Sequence, residues 1–411
     1  MIAGLPVPAD FADPPDAAAR RRWTDADAEA RPQRLARLRE RMAREDVGAY
    51  FGVRPEHMRW LTGFALGPGE KPSAGHSGEF LIGPDLVTVV VDSRYTIQAR
   101  RETVGAVVDE IGYDLPGAWA RLVAATGARR VGMEAGAIPH ALWLELGVAT
   151  PDVELVPADG WVEELRAVKS ADEIERIAAA CAVADRALAS LLPEVRPGVT
   201  EHDLALRLEW LIRTGGAECL AFDVACLAGP EAALPHGSPG DRPVRDGAVL
   251  LFDFGAQVEG YRSDMTRTLF IGEPSARDLG VYETVARSQQ APIDALLAAV
   301  RGRVAVPGGR ELDAIARAVI DRDGRWPAYG HGLGHGIGLA THEEPRLSRT
   351  APEVPLPSPT VFSVEPGIYL EGETGVRIED LVHLDVERGI VELLTRFPRE
   401  AIVLEPGSPG G

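Results

Sequence analysis

An α/β domain followed by a larger α+β domain is the architecture this sequence predicts, on three observations. Short apolar runs alternate with helical stretches from Val47 to about Pro157. Near Trp161 the texture changes to a long Ala-rich helix with a capping signal, and beyond it further helices give way to antiparallel hairpins that carry a cluster of acids. At 411 residues the chain exceeds one ordinary core, and the prior of about 150 residues per domain allows two or three. The boundaries read from the sequence are 1–160, of which 1–30 is an extension, and 161–411.

The elements follow in order. Residues 1–30 are rich in Ala, Asp, Pro and Arg, lack the apolar core of a secretory signal, and read as a partly ordered extension. Runs at 47–53, 86–92, 130–134 and 153–156 are the strands of the first domain. The Pro/Gly/Ser-rich stretch at 68–78 interrupts them as a long loop, of the kind that often serves a site. Ser170 with Glu173 forms a capping box that opens the Ala-rich helix, and further helices are expected at about 201–214, 277–300 and 311–322. Strands at 248–254 and 264–271 flank a turn at Glu259-Gly260. A second pair, 361–365 and 375–379, flanks a Gly/Glu-rich turn at 371–375.

Composition removes several function classes. With 43 basic and 62 acidic side chains the net charge is −19, which argues against nucleic acid or an anionic membrane as partner. No apolar run approaches the ~18 residues of a membrane span. Cys181, Cys219 and Cys226 form no CxxC pair, so neither a disulfide framework nor a cysteine zinc site is indicated, and a reducing cytoplasm is the expected setting.

The hairpins set Asp253 against Asp264 and Glu365 against Glu379. Like charges opposed across a sheet, with Cβ atoms about 5 Å apart, are destabilising, so a cation is expected between them. Solvated acids on an edge strand are the alternative for a single pair, but both pairs adjoin near-continuous apolar runs. Three histidines, His331, His335 and His342, stand within twelve residues among alternating glycines at 330, 332, 334, 336 and 338. So many glycines disfavour a helix, at about 1 kcal/mol each, which excludes the HExxH arrangement of a zinc-peptidase helix. The G-x-G-x-x-G spacing also fails, and Asp253-Phe254-Gly255 has no kinase loops before it. Alternating glycine instead indicates an extended segment pressed against another backbone. His236 is a fourth candidate, on a loop before the Asp253 strand. Carboxylates with one or two imidazoles suit Mn, Co, Zn or Fe(II), and two divalent ions would neutralise four acids. Paired ions about 3.5–4 Å apart acidify a shared water, which makes hydrolysis the natural chemistry.

These residues resemble the pita-bread metallopeptidases, the group of methionine aminopeptidase, aminopeptidase P, prolidase and the metal-free creatinases. The resemblance covers most of the chain. The family's ligand order of Asp, Asp eleven residues on, His, Glu, Glu is matched by Asp253, Asp264, His335, Glu365 in Ser-Val-Glu-Pro-Gly, and Glu379 in Val-Arg-Ile-Glu-Asp. It implies a C-terminal pita-bread catalytic domain and an N-terminal creatinase-like domain. It also implies two divalent ions, manganese before cobalt, zinc or iron(II), in which Asp253 chelates one, Asp264 and Glu379 bridge both, and His335 and Glu365 complete the other shell around a bridging hydroxide. His331 would be a pocket residue, His342 the proton-relay and substrate-binding histidine, and His236 the one near the scissile amide. Arg377 would orient the carboxylates from behind.

Trp60-Leu-Thr-Gly-Phe64 and Val91-Asp-Ser-Arg-Tyr95 look like the N-terminal domain of the proline-directed members, so hydrolysis of an Xaa-Pro bond is the expected activity. Glu365 or Glu379 would pass the proton to the proline nitrogen. Arg346 stands where the prolidase branch carries an arginine for the product-side carboxylate, which a guanidinium can fork, and the expectation is therefore an Xaa-Pro dipeptidase. The substrate would be a proline-containing di- or oligopeptide, and relatives imply a homodimer. The alternatives are an Xaa-Pro aminopeptidase acting on longer peptides, a same-fold metal hydrolase or lyase of a small non-peptide substrate, and a binding protein that uses the cleft for contacts.

Overall fold

The fold is described from a computed structural model covering residues 5–67 and 77–405. The chain divides into two units, Ala19–Arg166 and a second made of Met1–Ala18 with Ala167–Gly411.

The first unit is a six-stranded mixed sheet. Its strands are β1 (Ala49–Gly52), β2 (Glu79–Ile82), β3 (Val87–Val91), β4 (Val107–Glu110), β5 (Arg130–Met133) and β6 (Glu154–Pro157), in the order β4-β3-β2-β1-β5-β6. Helices α1 (Ala17–Arg44), α2 (Pro55–Thr62), α3 (Thr96–Glu102), α4 (Leu115–Thr126), α5 (His140–Ala149) and α6 (Trp161–Ala167) accompany it. Phe51 meets Trp119 edge to face at 4.9 Å inside a core that includes Leu81, Val131 and Met133. Four strands coincide with the apolar runs. β2 has only four residues, and the edge strand β4 leaves Val107 exposed, so neither carries an alternation to read. Residues 17–30, read from composition as an extension, are the first half of the 28-residue α1, in which Trp23, Leu38 and Met42 are buried. Ala, Arg and Glu propagate a helix well enough to carry it past Pro32. Residues 68–76, most of the expected loop, lie outside the described residues.

The second unit opens with α7 (Ala171–Leu191). Ser170 Oγ accepts from the Glu173 amide at 3.3 Å while the Glu173 carboxylate accepts from the Ser170 amide at 2.7 Å, the reciprocal pair the sequence announces. After α8 (Glu201–Thr214) come β7 (Cys219–Leu220), β8 (Ala225–Ala228), β9 (Val249–Phe254), β10 (Ala256–Val258), β11 (Tyr261–Arg262) and β12 (Met265–Ile271). Helices α9 (Ala276–Gly302) and α10 (Gly309–Asp323) precede β13 (Gly334–Gly336), β14 (Glu343–Leu347), β15 (Thr360–Val364), β16 (Gly367–Leu370), β17 (Thr374–Arg377), β18 (Asp380–Asp385), β19 (Ile390–Leu393) and β20 (Ile402–Leu404). The two larger sheets run β20-β12-β9-β8 and β14-β13-β15-β18-β19. Val281, Val285 and Leu296 of α9 and Leu312 and Ile320 of α10 share one core with Leu251, Phe270, Val364 and Val382 of the sheets.

Register positions the acids. Glu259 (φ 47°) and Gly260 (φ 80°) form the two-residue turn of a hairpin that pairs Val258 with Tyr261 and Asp253 with Thr266. Asp264 is therefore not directly opposite Asp253, as the sequence suggested, but level with Gly255. The turn is centred one residue later than the midpoint of the two aspartates, and one residue at the turn moves the pairing by two. The second hairpin meets the expectation. Val364 pairs with Asp380 and Gly367 with Arg377, one register that brings Glu365 and Glu379 opposite each other between them.

The glycine run is extended and packed against backbone. A Cβ on Gly334 would stand 2.0 Å from the Ser363 carbonyl oxygen, and one on Gly336 2.1 Å from that of Glu344, whereas one on Gly330 would meet nothing within 4 Å. Gly336→Ala is expected to cost about 1–3 kcal/mol of stability, because a rigid backbone must shift. Gly330→Ala is expected to stay within about 0.5 kcal/mol. Urea unfolding of both variants checks this, and equal losses would contradict it.

Candidate metal centre

The carboxylates and imidazoles converge on a cavity of about 380 Å³ in the second unit. Asp253, Asp264, His335, Glu365 and Glu379 line it together with His236, His331, His342 and Arg377, and Phe222, Pro235 and Thr341 complete much of the wall. Donor atoms of Asp264, His335 and Glu379 all lie within 4.8 Å of one another. His335 Nε2 is 3.3 Å from Glu365 Oε1 and 3.7 Å from Asp264 Oδ2.

Asp253, Glu379 and His335 are each held by one atom and present another. Asp253 Oδ2 accepts from Arg377 Nη2 at 2.5 Å, and Glu379 Oε2 accepts from the Thr266 hydroxyl at 2.8 Å. Asp253 Oδ1 and Glu379 Oε1 are buried without a protein partner. A buried carboxylate oxygen left in this way is costly, and a divalent cation satisfies it. His335 Nδ1 bonds the Gly336 carbonyl at 3.0 Å, which makes Nδ1 the protonated nitrogen of the neutral ring and turns the Nε2 lone pair toward the acids. The residues present thus fit hard or borderline divalent ions.

The charges agree with that reading. Burial first, then repulsion from Glu379, Asp253 and Glu365, pushes the Asp264 carboxyl well above the usual range. Burial, Glu365 and Asp253 do the same to Glu379. Burial also raises Asp253, against the pull of Arg377. Burial works on Glu365 in the same direction, but the hydrogen bond and charge of His335, with Arg377 and His331, outweigh it and hold Glu365 at about 2. In the absence of a cation the cluster therefore keeps protons on some acids and shares one between His335 and Glu365.

The supporting residues come mostly from β12 and the β17–β18 junction. Thr266 donates to Glu379 and accepts from Arg377 Nε at 2.9 Å, and Thr268 Oγ1 donates to the Arg377 carbonyl at 2.9 Å. On the other face of the strand Arg267, fully buried, uses all five N–H groups. They reach the carbonyls of Pro398, Thr266, Glu379 and Phe397 and the Asp380 carboxylate at 2.6 Å. Sequence reasoning did not single out Thr266, Arg267 or Thr268. Their signal was three consecutive polar residues in a strand buried throughout.

His331 is engaged elsewhere. Its Nδ1 bonds the Gly332 carbonyl at 2.7 Å, so Nε2 accepts from the Tyr369 hydroxyl at 2.9 Å, and that oxygen accepts in turn from Arg377 Nη1 at 3.0 Å. Arg317 fixes this loop through the Tyr329 and His331 carbonyls while paired with Asp313. The His342 ring is 4.2 Å from that of His335, and burial followed by His335 lowers its pKa. Arg346 is the candidate that the structure does not bring to the wall. It pairs with its neighbour Glu344 at 3.3 Å, and 73% of its side chain is exposed.

A buried set of acids with one turned imidazole, on a two-unit chain, defines a centre made for divalent ions. The chain matches the family model described as Metallopeptidase family M24 over residues 175–385 and the Creatinase/Prolidase N-terminal domain over residues 34–168. It is 32% identical over 377 residues to the Xaa-Pro dipeptidase of Pyrococcus furiosus, covering 90% of this chain and 99% of that one. An uncharacterized peptidase of Bacillus subtilis is 32% identical over 373 residues, covering 90% of this chain and all of the relative. Among solved structures, the Xaa-Pro dipeptidase from Bacillus anthracis superposes with a TM-score of 0.81 at 32% identity, over 90% of this chain and 99% of that one. The X-Pro aminopeptidase from Thermotoga maritima gives 0.78 at 34% identity, with the same coverage of both chains. The chain belongs to metallopeptidase family M24, the pita-bread group.

A pH dependence follows from the raised acids. Above about pH 4 the unfolded chain ionises while the folded, metal-free site keeps its protons on Asp264 and Glu379, so the metal-free protein loses stability as pH rises toward their folded values. Bound cations remove that penalty. The rise in Tm on adding Mn should therefore be larger at pH 8 than at pH 6, and calorimetry should record proton release on binding. A Tm increment independent of pH would contradict it.

Proposed function

We propose that this protein hydrolyses the Xaa-Pro peptide bond, with dipeptides as its preferred substrates, and that it uses two divalent ions, manganese first, held by Asp253, Asp264, His335, Glu365 and Glu379. The observation that carries the reading is the pair of buried oxygens, Asp253 Oδ1 and Glu379 Oε1, left open toward the same cavity that His335 faces. Similarity along 90% of the chain to the Xaa-Pro dipeptidases supports the substrate class. The ions, when bound, supply Lewis acidity and a water acidic enough to attack an amide near neutral pH.

The chain's own residues do the rest. Arg377 and Thr266 fix the carboxylates before substrate arrives, so no reorganisation is left for the reaction itself. Glu365 lies between His335 and the Ser363 hydroxyl, which donates to it at 3.1 Å, and is positioned to hold the proton taken from water and release it to the imino nitrogen. His236 and His342 flank the cavity, where they bind the carbonyl and amide of the scissile bond. Proline offers no N–H, so its selection rests on shape, for which Phe222 and Pro235 supply apolar wall. The same reading includes a cytoplasmic homodimer.

Likeness to the Thermotoga maritima X-Pro aminopeptidase favours the second reading, cleavage of longer Xaa-Pro peptides. Turnover of Ala-Pro and Gly-Pro against Ala-Pro-Ala, with and without Mn, decides between them: the dipeptides should be cleaved faster, and only with metal. Preference for the tripeptide would establish the aminopeptidase, and turnover of neither would reject both. Asp264→Asn should lower metal content and kcat/KM by about a hundredfold or more while the circular dichroism spectrum persists. Full activity in that variant would remove Asp264 from the centre.

A further inference from the structure

Thr341 and His342 enter the cavity wall from the bend that joins β13 to β14, and the first residue of β14, Glu343, closes that bend from behind. His342 is itself exposed, so its ring has fewer packing contacts to fix it than a buried one. The Glu343 carboxylate faces inward instead. Its Oε2 accepts from the Ala340 amide at 3.3 Å, across Thr341 and His342, and its Oε1 accepts from Lys169 Nζ at 2.8 Å. Both side chains are removed from solvent, with 1% of Lys169 and 5% of Glu343 exposed. Gly338 leaves the room they need: a Cβ there would stand 2.5 Å from Glu343 Oε1.

Lys169 joins this bend to a second part of the site. It precedes the Ser170 cap of α7, and its amide donates to the Pro359 carbonyl at 2.8 Å, one residue ahead of β15. From there β15 runs to Val364, next to Glu365, and it pairs with β13 through Gly336 and Phe362, beside His335. One lysine thus holds the strand that leads to Glu365 by its backbone and the bend that carries His342 by its ammonium. Net stability does not explain the pair. A buried lysine and glutamate lose their hydration, their attraction roughly offsets that loss, and two apolar residues would serve a core as well. What the pair supplies is a fixed direction for the Glu343 carboxylate, set from 174 residues away along the chain.

We propose that the ion pair of Lys169 with Glu343 positions His342 against the scissile bond, which makes both of them positioning residues for the hydrolysis from behind the cavity wall. The inference rests on the Xaa-Pro reading, in which His342 binds that bond. His342 adjoins Glu343 in the chain, and its ring centroid lies 4.2 Å from that of His335. Releasing the Glu343 carboxylate opens the bend at 340–343 and lets the ring drift from the centre. Asp253 and Glu379 meanwhile keep their own supports in Arg377 and Thr266. A displacement of about 1 Å in a reacting geometry is enough to cost about a hundredfold in rate.

The test uses the manganese-loaded protein with Ala-Pro as substrate. Lys169→Met should lower kcat about tenfold to a hundredfold, with KM and bound manganese little changed. In a His342→Ala background the same substitution should cost about twofold or less, because the ring it positions is gone. A full additional loss there, or a loss confined to KM or to manganese content, would overturn the proposal. Lys169→Met leaves a buried carboxylate unpaired, so Lys169→Met/Glu343→Leu, which removes both charges, is the companion variant. Its urea midpoint should return toward that of wild type while kcat stays low. A kcat that recovers with stability would overturn the proposal and leave the pair a structural clasp. Hydrogen exchange reads the bend without turnover: the Ala340 amide should exchange about tenfold or more faster in the companion variant, with the His335 amide unchanged. Failure of wild type to cleave any Xaa-Pro bond would reject the Xaa-Pro reading alone, and faster exchange at Ala340 would still support the positioning of the bend. Unchanged exchange at Ala340 would reject the positioning alone.

Discussion

Mutual repulsion among four carboxylates, two buried and two partly buried, governs the design of the second unit. Asp253, Asp264, Glu365 and Glu379 face one cavity from two hairpins, and burial alone would protonate all of them. The fold answers by allocating oxygens. Arg377 and Thr266 each tie back one carboxylate oxygen, the hydrogen bond and charge of His335 hold Glu365 low, and Asp253 Oδ1 and Glu379 Oε1 are left without a protein partner. A buried acid cluster held in this way is unstable by itself and specific for what completes it.

Holding such a cluster requires backbones at closer range than side chains permit. Gly334 and Gly336 let β13 lie against the carbonyls of Ser363 and Glu344, and Gly375 lets β17 approach the Ala232 carbonyl on the turn that leads to His236. Arg267 then spans β12, the β17–β18 junction and the segment before β20, replacing with one fully used guanidinium the hydrogen bonds that separate strands cannot make to one another. Arg317 does the same for the His331 loop from α10. The acids and His335 therefore sit on a scaffold already paid for in the folded state, which is the condition for an electrostatically preorganised site.

Specificity is a separate problem from the centre. In the proposed reading the acids and His335 would serve the hydrolysis, while the size of the cavity and its apolar wall would select the peptide. Arg346 illustrates the difference between a cation in sequence and a cation in place: it is neutralised by its neighbour Glu344 in solvent.

The sequence by itself determined four strands of the first unit, the capping box and the two turns, because apolar periodicity and Gly placement are local properties. It even placed Glu365 opposite Glu379, since a symmetric Gly/Glu turn leaves little choice of register. The turn stands at Glu259-Gly260 as read, but its centre is one residue past the midpoint of Asp253 and Asp264, which was enough to mispair them, and residues 17–30, read as an extension, are the start of α1. Which oxygens are tied and which lack a protein partner, and that His331 bonds Tyr369, were decided only by tertiary structure. Those facts depend on pairings such as Thr266 with Glu379 or His331 with Tyr369, between segments 38 to 113 residues apart, and no local pattern encodes a contact made at that range.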